Sequence, residues 1–150
     1  MHILDTNTLI YYFKGQGQVA QNLANVPPQE IGISTIVLFE LQVGIAKSTA
    51  PAKRTQQLQQ LLSRVNLIPF DRDAAVAAAT IRAQLEQQGT PVGLLDVLIA
   101  GTACAEALKV DDFITCDDKI IKRYRGVLAV KNPTEFANNA TIEQKEEENG

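Results

Sequence analysis

Short apolar runs alternate with longer helix-like segments along most of the chain, and this alternation constrains the fold more than any other feature. Residues 2–5, 31–35, 65–70, 112–116 and 127–130 read as strands. Between them lie helix-like segments at 6–13, 19–26, 36–47, 53–64, 73–88 and 93–109. Strands separated by helices favour a parallel sheet covered on both faces. Local signals sharpen the boundaries. Leu58, Leu61, Leu62 and Val65 fall at 3–4 spacing on an otherwise polar helix. Asp71 is an expected N-cap for the alanine-rich helix that follows, which Gly89 stops. Pro69 marks the third strand as an edge or terminus. Segment 93–109 is the most apolar helix and is expected at the centre.

A chain of 150 residues makes one domain, large enough to bury roughly two-thirds of its unfolded surface. The apolar fraction of 45% is ordinary, and no apolar stretch reaches the roughly 20 residues of a membrane span. The first residues show no basic region leading into an apolar run, so no signal peptide is expected and the cytoplasm is the expected location. Cys104 and Cys116 have no metal-type spacing and read as small buried thiols. The net charge of −3 resides in residues 137–150, where four Glu face one Lys, leaving 13 acidic and 13 basic residues in 1–136. The domain is expected to span 1–136, followed by a disordered acidic tail.

Four acids, Asp5, Glu40, Asp96 and Asp117, stand 35, 56 and 21 positions apart, each beside a core-forming run. Burying a carboxylate is costly unless something positive pairs with it. Asp5 and Asp117 close strand-like runs, where ligands of parallel sheets collect. Glu40 and Asp96 are flanked by apolar neighbours with no Lys or Arg within one turn of Glu40. Each also has a plainer reading: Asp5 as a helix N-cap, Asp117 or its neighbour Asp118 as the cap of a following helix. Together they point to a cation, and oxygen-only ligation suits Mg²⁺ or Mn²⁺ rather than zinc. The single histidine, His2, is expected at the surface or a strand edge, which excludes triad chemistry.

These residues resemble the PIN-domain family, and within it the VapC-type toxins of toxin–antitoxin pairs. The likeness rests on Leu4-Asp5-Thr6-Asn7, on Ser34 with Glu40-Leu41 and Gly44, on Gly93 and Asp96 with Leu98-Ile99-Ala100, and on Thr115-Cys116-Asp117. It implies an α/β fold, a three-layer α/β/α sandwich around a central parallel sheet of about five strands. It also implies Mg²⁺- or Mn²⁺-dependent RNA cleavage with one or two ions, a cognate antitoxin as partner, and a homodimer. Carried over, Asp5 and Asp96 are the principal metal ligands, Glu40 the third carboxylate and Asp117 the fourth. Thr6, Ser34 and Thr115 supply supporting hydroxyls. The family commonly has Asn where Cys116 stands and an aromatic where Ile120 and Ile121 stand, so either Asp117 or Asp118 can be the fourth acid.

Four cations and one aromatic follow at 119–125. An amphipathic helix is one reading; a phosphate-tracking role for Lys122, Arg123 and Arg125 on RNA is another. Tyr11, Tyr12 and Phe13 are expected in the core or a subunit contact. The Leu58, Leu61 and Leu62 stripe could close the core, pair two copies or receive an antitoxin helix. Two other classes compete with the nuclease. A catalytically silent PIN-like module would bind RNA or protein without turnover. A receiver-type signalling domain would want an acidic pair after the first strand, where only Asp5 stands.

Overall fold

A computed structural model describes residues 1–90, 92–106, 112–114 and 130–131, the last two stretches as backbone. Five strands form one sheet: β1 (His2–Leu4), β2 (Ile31–Ser34), β3 (Asn66–Ile68), β4 (Asp112–Ile114) and β5 (Val130–Lys131). Their order is β3-β2-β1-β4-β5, and every pairing is parallel. The helices are α1 (Thr6–Lys14), α2 (Val19–Ala24), α3 (Thr35–Ala46), α4 (Pro51–Leu62), α5 (Arg72–Gln87) and α6 (Leu94–Ala105), giving the three-layer α/β/α arrangement. The chain proceeds outward from β1 to one edge, then returns to the other side of β1 for β4. The C-terminal end of β1, where the order reverses, is therefore the place where such sheets bind ligands.

The core is built from Ile3, Leu4 and Ile33 of the central strands with Leu9, Val37, Leu58 and Ile99 of the helices, each essentially inaccessible to water. Alanines of α5 let α6 come unusually near. A methyl group placed on Gly101 would lie 2.5 Å from the Ala78 Cβ and 2.7 Å from its Cα, so only glycine fits there. Side-chain caps fix several helix starts. Ser34 Oγ accepts from Val37 N at 3.1 Å and Asp71 Oδ1 from Ala74 N at 3.0 Å. Gly15 closes α1 at φ +63°, a left-handed position that favours glycine. β3 is an edge strand, as Pro69 implies, and Asn66 Nδ2 ties it inward by donating to Gln29 O at 2.6 Å.

Several expectations are corrected. His2 does not lie on a sheet edge: it opens β1, the central strand, with its side chain largely covered and 4.0 Å from Glu30. Thr35 belongs to α3 rather than to the preceding strand, because Ser34 caps the helix there. Helix α3 is less buried than its apolar sequence implies. Val37 and Leu41 reach the core, whereas Phe39 is 55% exposed and Val43 also faces solvent. A run that is apolar all round carries no periodicity from which a solvent face could be read. Tyr11 is exposed, while Tyr12 and Phe13 pack partly against the core. Leu58 is a core residue with Leu61 and Leu62 packed beside it, which answers the stripe's intramolecular reading. β5 begins at Val130, the last residue of the run expected as a strand; 127–129 lie outside the described residues, as does the tail 137–150.

Candidate functional site at the end of the central strand

Asp5 follows the last residue of β1 and is 4% exposed. Its carboxylate Oδ1 accepts from Thr8 N at 2.8 Å, so Asp5 is indeed the N-cap of α1. That bond occupies one oxygen site of a carboxylate that has several. The N-terminus of α1 adds a favourable field for negative charge, worth about 0.3–1 kcal/mol. Ser34 is fully buried and ends the neighbouring strand β2, whose Ile33 pairs with Leu4. On the opposite side Leu4 pairs with Ile114, the last residue of β4.

Glu40 comes from α3, 34 residues beyond Thr6, yet its Oε1 accepts from Thr6 Oγ1 at 2.8 Å. The structure thus brings Glu40 to the residue next to Asp5. The sequence showed no cation near Glu40; the hydroxyl that meets it comes from another helix. Asp96 sits in the first turn of α6, half-buried. Its Oδ2 curls back over the helix start, 3.3 Å from where a methyl group on Gly93 would stand. Glycine at 93 therefore leaves room for the Asp96 carboxylate.

Every donor in this set is oxygen, a chemistry suited to a hard divalent cation. Asp5, Glu40 and Asp96 do not by themselves complete a cage: among the described residues no three acidic, His or Cys side chains are placed to hold one metal ion. Asp117, Asp118, Thr115, Cys116 and the basic residues Lys122, Arg123 and Arg125 lie outside the described residues. Asp117 stands three positions beyond Ile114 in the chain.

Two contributors escaped the sequence. Thr35 Oγ1 accepts from Phe70 N at 3.0 Å, pinning the start of α3 to the chain leaving β3. Lys14 and Arg54, 40 positions apart, line a common cavity with Glu40. Neither grouping has a local signal, since both arise from segments that meet only in the folded chain.

Comparison with known proteins agrees with this architecture. Residues 2–127 match the PIN domain model. The chain is similar to the tRNA(fMet)-specific endonuclease VapC of Salmonella typhimurium, 37% identical over 108 residues that make up 72% of this chain and 82% of that protein. It is similar also to ribonuclease VapC2 of Rickettsia felis, 34% identical across 71% of this chain and 81% of that one. Among solved structures, VapBC2 from Rickettsia felis bound to a DNA fragment from its promoter superimposes with a TM-score of 0.76 at 32% identity. That match covers 87% of this chain and 97% of the other. The DNA-bound VapBC of Salmonella typhimurium gives 0.75 at 28% identity, covering 88% and 97%. With the matched model spanning residues 2–127 and the strand-end acid in place, this chain belongs to the PIN-domain family, in its VapC-type group.

Proposed function

We propose that the protein is a divalent-metal-dependent endoribonuclease and the toxin half of a toxin–antitoxin pair. The observation that carries the reading is Asp5, buried at the switch point of a parallel sheet with Glu40 held beside it through Thr6. Relatives named as VapC endonucleases and ribonucleases support the activity, and neighbours solved as VapBC complexes support an antitoxin partner.

In this reading Asp5, Glu40, Asp96 and Asp117 hold Mg²⁺ or Mn²⁺, with Thr6, Ser34 and Thr115 as supporting hydroxyls. A bound divalent ion makes the attacking water more acidic and stabilises the anionic phosphate. Thr6 fixes the Glu40 carboxylate, so its second oxygen has a defined direction. The Thr8 amide does the same for Asp5. Gly93 leaves the Asp96 carboxylate its space. Lys122, Arg123 and Arg125 would track RNA phosphates, and the exposed Phe39 and Val43 on α3 offer a face on which a second copy can seat. Among the described residues no helix is long and apolar enough to cross a membrane.

The test is purified protein incubated with structured RNA in Mn²⁺ or in EDTA. Cleavage in Mn²⁺, none in EDTA, and none for Asp5→Asn or Asp96→Asn is expected. Full activity in either variant, or intact RNA with the wild type in Mn²⁺, would overturn the reading. RNA bound but left uncut would favour a silent binding module.

A further inference from the structure

Glu40 also forms part of the wall of a cavity of about 330 Å³ bounded by α1, α3 and α4. The other wall residues divide by chemistry. Phe13, Leu41 and Ile45 make an apolar side, while Lys14 and Arg54 contribute two cations. Neither cation forms an ion pair among the described residues, although both share the cavity with a carboxylate. Glu40 is instead engaged by the Thr6 hydroxyl. Arg54 Nη1 donates a long bond to the uncharged Gln57 Oε1 at 3.4 Å. Arg54 also stands in the first turn of α4, which contains no acid and where the helix dipole disfavours positive charge. An anion in the cavity would relieve that cost and occupy both cations. The volume is at the low end of the roughly 300–1,000 Å³ typical of small-ligand sites.

We propose that this cavity receives one unpaired nucleotide of an RNA strand, its base against Phe13, Leu41 and Ile45 and its phosphate between Lys14 and Arg54. The proposal rests on the ribonuclease reading and extends it, by fixing where the strand runs next to the cutting site. Covalent continuity favours RNA over an acidic peptide. A strand whose cut phosphate sits by Asp5 and Glu40 must place a neighbouring nucleotide about one residue's length away, and Glu40 is shared by both places. The base must be unpaired to present its faces to apolar side chains, as in single-strand recognition.

The experiment measures binding of a labelled short single-stranded RNA to the full chain in EDTA across a salt series, with RNA integrity checked on a gel. Lys14→Gln combined with Arg54→Gln should weaken binding about tenfold and lower the slope of log K against log salt by about 0.7, the value for one phosphate contact on a single strand. Lys53→Gln with Arg72→Gln removes the same charge outside the cavity and should do much less. Equal losses in the two double variants, or unchanged affinity in the first, would overturn the proposal. So would equal binding of an abasic strand of the same length, or a first variant that keeps RNA affinity while losing affinity for an acidic peptide. Cleavage in Mn²⁺ is scored separately. A wild type that binds RNA through these cations without cutting it sinks the nuclease activity and leaves the subsite standing.

Discussion

Asp5 caps α1 in this structure and, in the proposed function, also holds the metal; two substitutions separate these roles. As N-cap it accepts the Thr8 amide, and Thr8 is wholly buried. Asp5→Ala removes the side-chain acceptor that this buried N–H uses. Loss of a cap costs typically about 1 kcal/mol, and a stranded buried donor about 1–3 kcal/mol. These describe the same bond, so about 2 kcal/mol is the expected total. For a domain of this size that is a fall in Tm of about 4–8 °C. Asp5→Asn keeps an amide oxygen for Thr8, and Asn caps as well as Asp. It loses the charge–dipole term of about 0.3–1 kcal/mol, offset by no longer burying a charge.

Metal separates the second job. An ion at a concentration 100 times its Kd stabilises the folded chain by about 2.7 kcal/mol. A thermal melt in Mn²⁺ should therefore raise the wild-type Tm by about 5–11 °C and leave both variants unmoved. The assay is a melt of all three proteins in EDTA and in Mn²⁺, alongside RNA cleavage. The expected pattern is Asp5→Asn near wild-type stability in EDTA yet inactive and blind to Mn²⁺, with Asp5→Ala both inactive and less stable. Refutation comes from Asp5→Asn shifting with Mn²⁺ like the wild type, which removes the ligand role. Equal stability of the two variants removes the cap argument.

Three other perturbations follow from particular contacts. Thr6→Val deletes the hydroxyl that holds Glu40, a bond to a charged group worth about 1.5–3 kcal/mol; it should lower cleavage and Mn²⁺ affinity together, and Thr6→Ser should restore both, as titration and initial rates would read. Gly101→Ala drives a methyl into Ala78, including its backbone, so destabilisation at or above the usual 1–3 kcal/mol of overpacking should appear as a lower urea midpoint with an unchanged slope. Burial raises the Cys104 thiol above its ordinary 9.0. The folded chain thus holds that proton more tightly than the unfolded chain. Its contribution is complete below pH 9 and is lost as pH climbs through the raised value. In a Cys116→Ser background, Cys104→Ala should flatten the decline in stability above pH 9 seen by urea unfolding; the same decline in both proteins would refute it.

Much of this fold was legible because its signals are local. Asp71 announces a helix start through a side chain that bonds three residues ahead, and Pro69 announces an edge through a missing donor, whereas the Ser34 cap reads in the sequence as part of a strand. The burial of α3 was not legible, since Phe39 and Val43 are as apolar as Val37 and Leu41 and only the packed partners distinguish them. His2 was misplaced because strand order is a property of the whole chain. Thr6 with Glu40, Thr35 with Phe70, and Lys14 with Arg54 are pairings across 34–40 positions, made by crossover connections.

The site itself divides along the same line. Reading Asp5 as a cap and reading it as a ligand looked like alternatives, yet the cap occupies one site on a carboxylate that offers several. What turns a helix cap into a site is its position in the sheet. Asp71 caps α5 with the same bond, but at the exposed margin beyond edge strand β3. Asp5 caps α1 at the end of the central strand, where the strand order reverses and a second acid arrives from α3. The two residues make the same capping bond, so under the proposed function the difference between structural and functional acid lies in topology. Asp71→Asn should accordingly leave cleavage untouched where Asp5→Asn abolishes it, since only one of the two caps stands at the switch point.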